Sequence, residues 1–277
     1  MQATPILNEV LSPHGLNYRL LRSPSGAEAL PLVLLMGYGG SLLSWPPSFV
    51  TALARNRDVL IFDNRGTGKS AKLERGSDLR MLHFAEDLQL LLDHLQWAKV
   101  DLLGYSMGGC IALEYAKAQP NKVRKLVLQS TTAGGALYTG SDPDVKERIM
   151  NPRGTTFDEM FFDFFSLCFT QPGFDLHKPD LQIICDQSRP YPTSPMVLLA
   201  QLAAFRNFDA SKFISELQSP ALIIHGQNDR LIKPENGQAL AKIMPTCQTL
   251  FLPEAGHCPH IEQEANVVHR INEFLNS

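Results

Sequence analysis

The chain has 277 residues, of which 44% are hydrophobic and 19% charged, with a formal net charge of −3. That suits one α/β domain carrying an insertion, or two small domains, with ample length for a core. It gives no electrostatic case for nucleic acid, and no apolar run nears the roughly 20 residues that span a bilayer.

The five cysteines, Cys110, Cys168, Cys185, Cys247 and Cys258, are odd in number and without close pairs. That argues against a disulfide framework or a zinc knuckle. The amino terminus lacks the positive start and apolar stretch of a secretory signal, so the expected compartment is the reducing cytoplasm.

In chain order, the first thirty residues predict two short strands, the second over 16–22, followed by the turn Ser23-Pro24-Ser25-Gly26. Compact apolar runs follow at 32–36, 59–62 and 100–103. Each is too short for a helix and ends near glycine, as strands buried on both faces do. Before the third run, Leu82, Ala85, Leu88, Leu92 and Leu95 recur at helical steps behind a candidate cap at Ser77 or Asp78. Strands alternating with helices imply a parallel sheet with right-handed crossovers.

The alternation continues with a helix from 107 to about 118 and a strand over 123–129. Between 134 and about 212 it breaks, with prolines at 143, 152, 172, 179, 190, 192 and 195. Phe157, Phe161, Phe165 and Phe169 fall there at helical spacing, so this segment reads as a mostly helical insertion. The rhythm resumes with a strand at 221–225, a helix near 235–243 and a strand at 249–252. A final helix places Ile261, Ala265, Val268, Ile271 and Leu275 on one stripe.

The chemistry is concentrated at Gly104-Tyr105-Ser106-Met107-Gly108, a G-x-S-x-G motif at a strand-to-helix junction. A nucleophilic serine must stand clear of its backbone so that a base reaches one side and a carbonyl the other. A very tight turn achieves this, and glycines at 104 and 108 remove the Cβ atoms that would collide. The serine is expected at an unfavourable φ/ψ, with the helix start lending N–H groups to a developing oxyanion.

Serine needs a base. Of eight histidines, His257 lies in a loop after a strand and before the last helix, at the strand end where such folds place chemistry. His260 is a rival, but Pro259 and the helix start make it less free. His225 ends a buried strand, His83, His94 and His269 sit on helices, and these, with His14 and His177, are expected in surface or core roles. The buried acid that would set the imidazole tautomer is Asp229, in the polar loop after 221–225. The strand at 123–129 is followed by Ser130-Thr131-Thr132, with no carboxylate. For the oxyanion, one donor is the N–H of Met107 and the other that of Tyr38, in the loop Met36-Gly37-Tyr38-Gly39-Gly40.

Together these residues resemble the α/β-hydrolase superfamily, in particular its small capped esterases, enol-lactonases and C–C hydrolases. Phe62-Asp63-Asn64-Arg65-Gly66-Thr67-Gly68-Lys69-Ser70 is similar to that family's D-x-R-G-x-G-x-S loop. The resemblance implies a mostly parallel sheet of about eight strands flanked by helices. It also implies a core from 1–133 and 213–277, with 134–212 as a helical cap. One departure is Met36, where many relatives carry histidine. A phosphate-binding loop would need glycine at position 63, where Asp63 stands, and no helix follows to carry a dinucleotide. Serine at 106, where related dehalogenases and epoxide hydrolases place aspartate, disfavours those chemistries.

The expected activity is hydrolysis of a small to medium apolar carboxylic ester, thioester or lactone through an acyl-enzyme, with no cofactor and no metal. The partner is then a small-molecule ester-like substrate, and nothing in the sequence sets an oligomeric state. Phe161 and Phe165 are candidates for the pocket wall, with packing of the cap on the core as the other reading. Cleavage of a C–C bond in a β-diketone-like substrate, a cofactor-free perhydrolase activity, and a ligand-binding protein that retains the triad are the alternatives.

Overall fold

A short extended run satisfies its backbone beside another strand, and among the described residues eight strands join one sheet. The computed structural model describes residues 9–24, 29–74 and 76–277. Ser25 and Gly26 of the expected turn, and residues 1–8 of the expected core, lie outside the described residues.

The strands are β1 (Val10–Leu11), β2 (Asn17–Leu21), β3 (Leu32–Leu35), β4 (Val59–Phe62), β5 (Val100–Tyr105), β6 (Val123–Gln129), β7 (Ala221–Gly226) and β8 (Cys247–Leu252). Their order is β1-β2-β4-β3-β5-β6-β7-β8. Strand β2 runs antiparallel to β1 and β4, and every other pairing is parallel.

The helices are α1 (Pro47–Leu53), α2 (Met81–His94), α3 (Met107–Ala118), α4 (Pro143–Met150), α5 (Phe157–Cys168), α6 (Gln171–Ser188), α7 (Pro195–Arg206), α8 (Pro234–Ile243), α9 (Pro259–Glu262) and α10 (Glu264–Asn276). Successive residues of β3 serve opposite faces of the sheet, as the period of two requires. Val33 and Leu35 join Phe84, Leu88, Ile111 and Leu240 on one face. Leu32 and Leu34 join Phe49, Val267 and Ile271 on the other. Among the described residues no helix is long and apolar enough to cross a membrane.

Helices α4 to α7 all lie between β6 and β7, and the chain leaves and rejoins the sheet at one neck. There Ala210 N–H donates to Ala133 O at 2.7 Å, Gly135 N–H donates to Phe208 O at 3.1 Å, and Gly134 bridges Asp209.

Two helices differ from the sequence expectation. Helix α2 starts at Met81, after Arg80, because Ser77 Oγ instead donates to Glu74 O at 2.7 Å and Asp78 pairs with Arg80. Of the expected stripe Ala85, Leu88 and Leu92 are buried and Leu82 is exposed, while Phe84 and Leu91 widen the inner face. The last helix is two helices, broken at Gln263 with φ −138°. The break leaves the Glu262 carboxylate accepting from Gly256 N–H at 2.6 Å and Thr170 N–H at 3.1 Å. Past it, Val267, Ile271, Phe274 and Leu275 form the buried stripe, and Ala265 faces solvent.

At the centre of the sheet, α3 touches the backbone of β3 and β5 directly. A Cβ at Gly108 would stand 2.0 Å from Leu35 O, and one at Gly104 would stand 2.5 Å from Gly108 O. Gly140, with nothing within 4 Å of its would-be Cβ, is the natural control. Gly108→Ala should lower unfolding free energy by about 3 kcal/mol or more through forced backbone separation, and Gly140→Ala by about 0.5 kcal/mol or less. Urea unfolding of the two variants reads the difference; equal midpoints would remove the close contact from the account.

Candidate active site

Four loops at the carboxyl ends of β3, β5, β7 and β8 bring the singled-out residues to one edge of the sheet. Ser106, between β5 and α3, has φ 55° and ψ −122°. Such a backbone costs of order 1–3 kcal/mol for a residue with a side chain and persists only where its surroundings over-determine it. Here they do. Ser106 N–H donates to Gln129 O at 2.9 Å, and Ser106 O accepts from Gly109 N–H at 2.9 Å and Thr131 Oγ1 at 2.7 Å. Thr131 also fills the place where a Cβ on Gly109 would go, 2.4 Å from its Oγ1. Thr131 was not singled out in the sequence, and its position two residues past a strand end is the only signal that could have found it.

Asp229 and His257, 28 residues apart, are joined: His257 Nδ1 lies 2.7 Å from Asp229 Oδ2, with both side chains buried. Burial alone would raise the Asp229 carboxyl. The charge of His257, with hydrogen bonds from His225 and His257, outweighs it and holds the carboxyl below its ordinary value. An ionised carboxylate only accepts, so His257 Nδ1 is the donor, and whenever the ring is uncharged its lone pair is on Nε2. The other carboxylate oxygen, Oδ1, accepts from Leu231 N–H and Ile232 N–H, each at 2.9 Å.

His225 has a larger part than its sequence position suggested. Its Nε2 donates to Ile232 O at 2.7 Å and lies 3.4 Å from Asp229 Oδ2, so the acid is flanked by two imidazoles. The i, i+4 spacing of His225 and Asp229 was the available clue. His260, the rival base, belongs to the core. Its ring packs against Trp45, Phe49 and Tyr105, and its Nδ1 accepts from Gln129 Nε2 at 2.6 Å. Burial, aided by the nearby charge of His257, pushes it down to about 3.

Tyr105 links the two halves of the site, its ring 5.1 Å from that of His257 and its hydroxyl 3.1 Å from Cys258 Sγ. The loop after β3 reaches the serine directly, since a Cβ at Gly37 would lie 3.1 Å from Ser106 Cβ. Tyr38 and Gly39 are the inner residues of a turn closed by Gly40 N–H on Gly37 O at 3.4 Å. Met107 opens α3, so its N–H has no acceptor within the helix. Below the loop, Asn64 Nδ2 donates to Met36 O at 3.1 Å, an anchor that does not need the residue-36 side chain.

The stretch ending in Gly68-Lys69-Ser70 is an internal knot. The Asp63 carboxylate accepts from Asn17 Nδ2, Leu42 N–H and Lys69 N–H at 2.8, 2.7 and 2.9 Å, and Arg65 pairs with Asp87 through two hydrogen bonds. Phe161 and Phe165 meet at a tilt of 36° with ring centroids 4.5 Å apart and pack, half-buried, against the core cluster that includes Cys168 and Phe169.

Residues 31–264 match the family described as the alpha/beta hydrolase fold. The chain belongs to that family. Within the alpha/beta hydrolases, it is 26% identical over 253 residues to RutD of Pseudomonas savastanoi pv. phaseolicola, provisionally named a carbamate hydrolase, covering 91% of this chain and 95% of that one. It is 32% identical over 266 residues to the dihydrolipoyllysine-residue acetyltransferase component of an acetoin cleaving system in Pseudomonas putida, covering 93% of this chain and 67% of that one. Among solved structures, a thermophilic esterase from Thermogutta terrifontis superposes with a TM-score of 0.76 at 25% identity, covering 98% and 97% of the two chains. The chain is accordingly a hydrolase of this fold.

His260 carries a pH signature of its own. Between about pH 6 and 4 the unfolded chain binds a proton at this residue and the folded chain does not. Stability is therefore lost as pH falls, by about 1.4 kcal/mol per unit at most. Replacing it, His260→Gln, should flatten the decline of the urea midpoint over that range. An unchanged slope would show that other groups govern acid sensitivity.

Proposed function

We propose that this chain is a serine hydrolase acting on small to medium apolar carboxylic esters, thioesters or lactones. The observation that carries the reading is the buried Asp229–His257 hydrogen bond at the same sheet edge as the strained Ser106. An imidazole fixed through Nδ1 has one nitrogen left for proton transfer, and a serine held off the ordinary backbone regions is the nucleophile it would serve.

In the proposed cycle, His257 Nε2 takes the Ser106 proton as Oγ bonds to the substrate carbonyl carbon. The oxyanion accepts from Met107 and Tyr38 N–H groups. As it collapses, the bond to the alkoxide breaks and His257 returns the proton to the leaving alcohol. Water then adds to the acyl-enzyme by the same route, giving the acid and free Ser106. Residues 134–212 serve as the cap over this edge, and residues 1–133 with 213–277 as the catalytic core. A cytoplasmic location fits the five free cysteines.

On short-chain p-nitrophenyl esters, Ser106→Ala should cut kcat by at least about a thousandfold while leaving the melting temperature within a few degrees. A fluorophosphonate probe should label the native protein at Ser106, a result that also separates an enzyme from a binding protein. A tenth of the native rate surviving in the variant would take Ser106 out of the chemistry.

A further inference from the structure

Helix α7 turns Val197, Gln201 and Ala204 inward, and Gln201 has no exposed surface. For packing alone, a leucine or methionine would serve there and leave no polar atom to satisfy. The amide oxygen has a partner far off in the sequence: Gln201 Oε1 accepts from Gly39 N–H at 2.8 Å. The carbonyl of the same glycine accepts from Thr193 Oγ1, also at 2.8 Å. Leu198 closes the spot from above, with Cδ2 lying 2.8 Å from where a Gly39 Cβ would be. Both polar groups of one residue in the loop after β3 are thus held by the segment 193–201.

The amide nitrogen is different. Among the described residues, Gln201 Nε2 has no hydrogen-bond partner, and it is buried. Amide bond lengths keep it about 2.3 Å from Oε1, hence within about 5 Å of Gly39 N, beside the Tyr38 peptide. It is a fixed donor, shielded from water, next to the loop that would hold the oxyanion.

We propose that Gln201 reads the substrate: Oε1 positions the oxyanion loop, and Nε2 donates to an acceptor oxygen that the substrate carries beside its scissile carbonyl. This rests on the serine-hydrolase reading above and narrows its substrate class to otherwise apolar esters with a neutral keto or alkoxy oxygen two or three atoms from the carbonyl carbon. A substrate without that oxygen leaves the donor unpaired in a dry site. Sites built around a hydrogen bond reject such analogues far more strongly than apolar pockets reject a missing methylene.

The test compares p-nitrophenyl methoxyacetate with p-nitrophenyl butyrate, which differ by one oxygen in place of one methylene. Their intrinsic reactivities differ, but that difference cancels when native and variant enzymes are compared. From native protein to Gln201→Met, kcat/KM for methoxyacetate relative to butyrate should fall about tenfold or more. Gln201→Glu keeps an acceptor for Gly39 N–H and, at a pH where its carboxyl is ionised, lacks the donor, so there it should shift the ratio the same way, and it carries the test if the methionine variant fails to fold. An unchanged ratio in the folded variants, including equal loss on both esters, would overturn the proposal. Fluorophosphonate labelling keeps the two readings apart. A labelled native enzyme with no ratio shift sinks the role of Gln201 alone, whereas an unlabelled one sinks the serine reading and this proposal with it.

Discussion

The edge of the sheet that carries Ser106 depends on a contact between backbones. With no side chain at Gly104 or Gly108, α3 settles onto β5 and β3 at separations a Cβ would forbid. That approach accompanies the sharp reversal at residue 106, which directly precedes the first N–H groups of a twelve-residue helix. The neighbouring strand supplies the restraint: Gln129 O and Thr131 Oγ1, both from the β6 end, hold the Ser106 peptide on either side. Strain and restraint are therefore built from adjacent strands of one rigid sheet.

The acid side of the site answers a different problem, that of keeping a charge in a dry place. Asp229 is shielded from water yet meets two imidazoles and two backbone N–H groups, which together outweigh the loss of hydration. His260, three residues from His257, has aromatic rings around it and no carboxylate at bonding distance, and there desolvation wins and the ring stays neutral. Two histidines on one short segment thus have opposite surroundings, set by which side of Pro259 they fall on.

Much of this was legible in the sequence because it is local. The strands at 59–62 and 123–129, the G-x-S-x-G turn and the loop acid after 221–225 are each written within ten residues of one another. What escaped depends on distant partners. Gln201 meets Gly39 across 162 positions, and nothing near it in the sequence distinguishes it from a surface glutamine. The onset of α2 was misread because Ser77 has a nearer acceptor in Glu74 O. The break at Gln263 was invisible because it is Gly256 and Thr170 that engage Glu262.

The neck at residues 133–135 and 208–210 has a consequence for how such a protein can change over generations. Because the chain departs and returns through one pinned pair of strands, everything between is topologically a single graft. Insertions, deletions or wholesale exchange there leave the registers of β6 and β7 unaltered, and the closure entropy grows only slowly with the length of the excursion. Selection can thus remodel the segment between β6 and β7 while the sheet that carries Ser106 is inherited intact.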